Sequence, residues 1–122
     1  MRREKLYLAD MIEAADAIGC FLTEIEAERF LQDDLVRSAV LQKISIIGEA
    51  AARLPKEFQA RHPEVEWRDI IAFRNIAVHA YFAVQWQMVW TTATRDAPAL
   101  RQKISDILRA EFPEDAPPHT LF

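Results

Sequence analysis

The segment 33–55, DDLVRSAVLQKISIIGEAAARLP, carries the clearest helix signals of this chain. A carboxylate at Asp33 or Asp34 can accept from the unpaired amides of a helix's first turn, and Pro55 stops a helix from continuing. Small residues surround Gly48, which would let a second helix approach closely. The segment predicts a helix from Asp33 or Asp34 to about Leu54. Its apolar side chains recur at steps of three and four, as on one buried helix face: Leu35, Val36, Ala39, Val40, Ile44, Ile47, Ala50 and Ala51.

The same helical spacing extends to both sides of this segment. Residues 4–28 carry an apolar stripe from Leu8 to Ile25, which predicts one long helix. Gly19 interrupts the stripe, yet a single glycine costs a helix only about 1 kcal/mol relative to alanine. Residues 56–61 are expected to form a short helical turn that ends near His62 and Pro63.

The C-terminal half predicts two further helices. One runs from Trp67 to about His79, and the other begins near Val84. Because Asp96 could cap a helix and Pro98 fits a first turn, a kink or restart is expected there. From Phe112 onward the chain is too rich in proline for a helix.

The whole pattern predicts an all-α protein, an up-down bundle of four to five helices. Only 2 of the 122 residues are glycine, whereas sheets joined by tight turns normally need more. We expect one helical domain over residues 1–112 and a proline-rich C-terminal tail over 113–122.

Composition limits the functional classes. The net charge of −4, from 15 basic and 19 acidic residues, argues against a protein that coats nucleic acid with a bulk basic surface. Any RNA contact would therefore have to be local.

The single cysteine, Cys20, excludes an internal disulfide and is expected to be a small buried apolar residue. No apolar run reaches the length of a membrane span or a signal peptide, so a cytoplasmic address is expected, with no membrane partner.

The octapeptide 74–81, RNIAVHAY, holds the chemistry. Arg74 is a permanent cation, the imidazole of His79 can donate or accept a proton, and Tyr81 offers one hydroxyl. A proton-transfer group and a phosphate-binding cation are what cleavage of a phosphodiester without a metal requires. His79 lies five residues after Arg74, so the two would point about 140° apart on an ideal helix.

Two arrangements would bring Arg74 and His79 into one site. Either the backbone becomes irregular after Arg74, or the partner groups come from a second copy of the chain. A two-fold dimer would place two copies of each side chain across one groove.

Glu49 lies within an apolar helix face, where a buried carboxylate would need a partner such as Arg74. The three tryptophans are expected to serve in the core or an interface, and Tyr81 on these grounds alone would do the same.

Arg74-Asn75 followed by His79 and Tyr81 resembles the R-N-x-x-x-H-x-Y signature of the HepT-like branch of HEPN proteins. The similarity extends over roughly residues 4–110. It includes the Ile46–Ala50 stretch and His62-Pro63 before the signature, and Val89-Trp90 after it.

This resemblance implies a HEPN-like two-fold homodimer that acts as the ribonuclease toxin of a type VII HepT/MntA toxin–antitoxin pair. Arg74 and His79 would carry out metal-independent RNA cleavage without a cofactor, and Asn75, the polar residue that commonly follows the arginine, would orient Arg74 or contact phosphate. Glu49 is interpreted, from its place in the apolar face and not from the resemblance, as a structural residue that supports Arg74 or contacts phosphate. The antitoxin would be a minimal, MntA-like nucleotidyltransferase that moves AMP from ATP onto Tyr81. The alternative is a non-catalytic helical module that binds such a nucleotidyltransferase. A further alternative is a structural dimer with a buried Arg74–Glu49 pair.

Overall fold

The computed structural model describes residues 2–79 and 81–113, without the side chains of Arg2 and Tyr81. Every regular element in those residues is helical, as the sequence predicted. The predicted tail lies mostly outside the described residues, which end at Pro113. The elements are α1 (Arg2–Phe21), α2 (Ala27–Phe30), α3 (Asp34–Arg53), α4 (Lys56–Arg61), α5 (Trp67–His79), a 3₁₀ turn (Tyr81–Ala83), α6 (Trp86–Thr91), a π-helical turn (Thr92–Asp96) and α7 (Ala97–Glu111).

Helix α3 begins and ends as its sequence predicts. The Asp33 carboxylate caps it by accepting a hydrogen bond from the Val36 amide at 3.1 Å. Leu54 leaves the helical conformation immediately before Pro55. Because its apolar residues cover more than one face, α3 packs against α1 on one side and α5 on the other.

The prediction of a single helix over residues 4–28 is wrong, because α1 ends at Phe21. Glu24 adopts the left-handed conformation with φ of 59°, which turns the chain out of the helix. This turn lets α3 return against α1. The short helix α2 lies between the turn and α3 in the chain. The buried ring of Phe30 in α2 packs 6.5 Å from Trp86 and 5.2 Å from Trp90.

A single core fills the space between α1, α3, α5 and α7. The apolar stripe of α1 supplies Leu8, Met11 and Ile18, and α7 supplies Ile104 and Leu108. Cys20 is exposed, so the expectation that it is buried is wrong. It follows the buried Ile18 by two residues, which turns it about 200° away from the core-facing stripe.

The expected kink near Pro98 takes the form of a π-helical turn. Helices α6 and α7 are continuous through Thr92–Asp96, and Pro98 lies in the first turn of α7. Asp96 remains in a helical conformation and makes no capping hydrogen bond, so its predicted role as a cap is wrong. In an α-helix the ring of Pro98 would clash with the carbonyl four residues earlier. The wider π-helical turn moves that carbonyl away from the ring, so the helix continues through the proline.

No helix within the described ranges has the length and apolar character needed to cross a lipid bilayer.

Hydrogen bonds among three side chains join the end of α7 to the end of α4. His62 Nε2 donates to Glu111 Oε2 at 2.6 Å, and Arg61 binds the same carboxylate at 3.1 Å. Partial burial acts to raise the pKa of Glu111, but the hydrogen bonds from His62 and Arg61 outweigh it and hold that pKa below its ordinary value. Sequence inspection gave His62 no role, because its partner is 49 residues away.

Glu111→Gln is expected to remove an acid-sensitive part of the stability. Because the folded pKa of Glu111 is lowered, its ionised form stabilises the fold above about pH 4.3, and this contribution is lost as pH falls through the lower folded value. We expect the variant to be less stable at pH 7 by at most about 1 kcal/mol, since the cluster remains partly hydrated. Urea denaturation from pH 7 to pH 3 measures this. Asp16→Asn, which removes the partner of Arg101, is the control. A constant difference across that range would contradict the assignment.

Candidate active site

Helix α5 carries the first six residues of the RNIAVHAY signature, 74–79, in its C-terminal half. It begins at Trp67, whose indole Nε1 donates to the His62 carbonyl at 3.0 Å and ties the start of the helix to the preceding loop. Trp67 and Ala77 are buried and turn one face of α5 toward α3. This packing fixes the direction in which every signature residue on α5 points.

Arg74 lies at the contact between α3 and α5, and its side chain is 19% exposed. Gly48 of α3 faces it directly. A Cβ atom on Gly48 would overlap the Cβ of Arg74 and would lie 2.8 Å from its Cγ and 3.2 Å from the Ile70 carbonyl oxygen. The close approach expected from the small residues around Gly48 is therefore present, and it sets the position of Arg74.

The Arg74 guanidinium faces a carboxylate that it shares with a second arginine. Arg74 Nε lies 3.6 Å from Glu49 Oε1, and Arg53 Nε lies 3.4 Å from Glu49 Oε2. A separation of 3.6 Å is an ion-pair distance but is too long for a hydrogen bond, and Arg74 Nε has no hydrogen-bond partner in the described structure. We call Arg74, Glu49 and Arg53 the arginine–glutamate cluster.

The Glu49 side chain is 49% exposed, so the expectation of a buried carboxylate is wrong. Glu49 was assigned to an apolar face from its neighbours, but it points to the rim of the α3–α5 contact rather than into it. Arg53 was missed by the sequence analysis, although its position four residues after Glu49 is the usual spacing of a helical ion pair.

His79 ends α5 and is exposed. Helix α5 is regular from Arg74 to His79, so the two side chains diverge by about 140° around the helix axis. Arg74 points toward α3 while His79 points away from it. Of the two arrangements considered from the sequence, an irregular backbone between Arg74 and His79 is therefore contradicted.

Asn75 lies on the outer side of α5, and Tyr81 lies beyond the end of the helix. Asn75 is exposed, next to His79 in projection around the helix. The backbone of Tyr81 opens the 3₁₀ turn, but its side chain lies outside the described residues, as does Ala80. The predicted role of the Tyr81 hydroxyl therefore stays a prediction.

A cavity of about 200 Å³ lies elsewhere, between α3, α5 and α7. Its floor is apolar and includes Ile47, Phe73 and Leu100, while neither Arg74 nor His79 lines it. The arginine–glutamate cluster and His79 lie outside this cavity, on different sides of α5. Within residues 2–79 and 81–113, histidine, cysteine and acidic side chains do not converge in groups of three that would hold a metal ion.

Comparison with known proteins relates this chain to one family of ribonucleases. The sequence profile of the family described as "Ribonuclease HepT-like" matches residues 11–107. The chain is 39% identical to a probable ribonuclease HepT of Thermococcus cleftensis, over 87% of this chain and 96% of that protein. It is 31% identical to a putative RNase of Caldanaerobacter subterraneus subsp. tengcongensis, over 91% of this chain and 99% of the relative. No solved structure is significantly similar to it.

Proposed function

This chain belongs to the HepT-like ribonuclease family, and on that basis we propose that it is a metal-independent endoribonuclease toxin whose active site forms in the groove of a two-fold homodimer. The observation that carries the proposal is the divergence of Arg74 and His79 on one regular helix. One copy presents a phosphate-binding cation and a proton-transfer group on different faces, so a second copy is needed to complete the constellation.

The chemistry assigns each residue a role. Cleavage of RNA by its own 2′-hydroxyl removes a proton from that hydroxyl and delivers one to the leaving 5′-oxygen, which takes two positioned groups. His79 of one copy acts as the base and His79 of the other acts as the acid. Arg74 stabilises the charge that builds on the non-bridging phosphate oxygens, and Asn75 orients Arg74 or contacts phosphate.

Exposed apolar side chains support a dimer at the signature. Ile76 is 48% exposed, Val78 is 53% exposed and Phe82 is fully exposed. Met88 of α6 is 56% exposed. Exposed large apolar side chains that lie near one another along the chain favour a protein interface. Since the same stretch carries His79, an interface there would bring the two imidazoles toward one groove.

The activity is tested by incubating the purified protein with RNA in excess EDTA. We expect cleavage, with products that carry 2′,3′-cyclic phosphate ends because the 2′-oxygen is the nucleophile. The alternative function, a non-catalytic module that binds a nucleotidyltransferase, predicts no cleavage under any condition. The His79 variant that completes this test is argued in the Discussion.

Regulation is proposed to occur by AMP transfer from ATP to the Tyr81 hydroxyl, with release of pyrophosphate, by an MntA-like nucleotidyltransferase antitoxin. The added phosphate would place negative charge and bulk beside a site that binds RNA phosphate, and would exclude RNA by repulsion and by size. A cytoplasmic address also remains a prediction.

Co-expression with a cognate MntA-like nucleotidyltransferase is expected to raise the intact mass by one or more AMP units. Peptide mapping should place the modification on Tyr81, and Tyr81→Phe should show no gain because it lacks the hydroxyl. An AMP unit on another residue, or a mass gain that persists in Tyr81→Phe, would contradict the assignment of the acceptor.

A further inference from the structure

The arginine–glutamate cluster has more cationic capacity than its carboxylate satisfies. Two guanidinium groups share one Glu49 side chain, and the cluster keeps a net charge of +1 on a protein whose overall charge is −4. Arg53 is 59% exposed, so its remaining donors face solvent beside Arg74. The cluster is therefore a local site for an anion on an otherwise acidic protein.

The contacts within the cluster are longer than those of two arginine pairs that join different parts of the fold. The Arg74–Glu49 and Arg53–Glu49 distances are 3.6 and 3.4 Å, against 3.1 Å for Arg61–Glu111 and 3.0 Å for Arg101–Asp16, and they are similar to the 3.6 Å of the exposed Arg29–Asp33 pair. Strong charge-assisted hydrogen bonds are shorter still, about 2.7–2.9 Å. Arg74 Nε is buried and has no hydrogen-bond partner, so Glu49 holds the guanidinium by charge at 3.6 Å and not by a hydrogen bond. Two cations held in this way can receive a phosphate at their solvent-facing donors.

We propose that Arg53 is a second phosphate-contacting residue for the RNA substrate, and that Glu49 is a positioning residue that keeps the Arg53 and Arg74 guanidinium groups in place while RNA is bound. This inference rests on the proposed ribonuclease function. Arg74 acts at the phosphate that is cleaved, and Arg53 contacts a neighbouring phosphate of the same strand. The contact increases affinity without taking part in proton transfer.

An ordinary helical ion pair with no contact to RNA is the alternative role for Arg53. The chain supplies a matched control for it in Arg29, which pairs with Asp33 four residues later at 3.6 Å and is 67% exposed. Arg29→Gln and Arg53→Gln remove the same charge and the same type of pair. Only Arg53 shares its carboxylate with Arg74.

The first measurement is binding of a fluorescein-labelled, mixed-sequence single-stranded RNA to protein that carries His79→Ala, so that the RNA stays intact. Added to that background, Arg53→Gln is expected to weaken binding about 10-fold and to lower the slope of log K against log salt by about 0.7, the value for one lost phosphate contact on a single strand. Arg53→Lys should restore the slope, since it keeps the charge. Arg29→Gln should leave both affinity and slope unchanged.

The second measurement is cleavage of the same RNA by protein that retains His79. Arg53→Gln is expected to raise KM about 10-fold with kcat unchanged. Glu49→Gln should do the opposite: a neutral amide competes less with phosphate, so KM does not rise, but kcat falls because Arg74 loses its orientation.

The outcomes separate this inference from the proposed function. Equal effects of Arg53→Gln and Arg29→Gln on RNA affinity would overturn the role of Arg53, even in a protein that cleaves RNA. A wild-type protein that does not cleave RNA but binds it in an Arg53-dependent way would overturn the ribonuclease proposal and leave the phosphate contact standing. Absence of both cleavage and RNA binding would overturn both.

Discussion

Replacing His79 by alanine is expected to lower the rate of RNA cleavage at least about 100-fold, the usual contribution of a positioned acid or base. In a dimer that uses both imidazoles the loss should be larger, because the substitution removes the base and the acid together. His79 is exposed at the end of α5, so the free energy of unfolding should change by no more than about 0.5 kcal/mol. Growth inhibition on induction should disappear in parallel.

The assay uses purified protein, RNA and excess EDTA, with circular dichroism to confirm that the variant is folded. His62→Ala is the control, since His62 contacts Glu111 at the far end of α7 and has no part in the proposed chemistry. Below its melting temperature that variant should cleave RNA at the wild-type rate. Cleavage retained by His79→Ala, after trace nuclease is excluded, would contradict the assignment of His79.

Helices whose ends carry explicit chemical signals were predictable from the sequence. Asp33 and Pro55 mark α3, and the structure places both boundaries there. The end of α1 was not predictable, because Glu24 enters the left-handed region without the glycine or asparagine that usually announces it. The return of α3 against α1 requires that turn, and this tertiary constraint has no local sequence signal.

The candidate site was predictable in its residues but only partly in its geometry. Helical spacing alone indicated that Arg74 and His79 diverge, and the regular path of α5 agrees. The exposure of Glu49 was not predictable, because one residue's rotation at the rim of a helix–helix contact depends on how closely α3 and α5 approach. That distance is set by Gly48, whose importance becomes clear only when the facing side chain is known to be Arg74.

Gly48→Ala is expected to combine a loss of stability with a loss of cleavage. Alanine is ordinarily the better helix former by about 1 kcal/mol, and Gly48 has no positive φ to explain the glycine. Its Cβ would nevertheless overlap the Cβ of Arg74, whose backbone-proximal atoms cannot rotate away, so α3 and α5 must separate. We expect the overlap to dominate and to lower the free energy of unfolding by about 1–3 kcal/mol. Arg74 would move with α5, and a displacement of about 1 Å can reduce catalysis about 100-fold.

Gly19→Ala is the matched control, because a Cβ at Gly19 would meet no atom within 4 Å. That substitution should stabilise α1 by about 1 kcal/mol and leave RNA cleavage unchanged. Urea denaturation should show opposite changes in stability for the two variants. The EDTA cleavage assay should show a loss of cleavage for Gly48→Ala and none for Gly19→Ala. If Gly48→Ala were stabilising like Gly19→Ala, α3 and α5 could not be in the close contact described. A guanidinium carried away from its place beside Glu49 could not stabilise the same phosphate. If Gly48→Ala were destabilised but fully active, cleavage would therefore not depend on the position of Arg74.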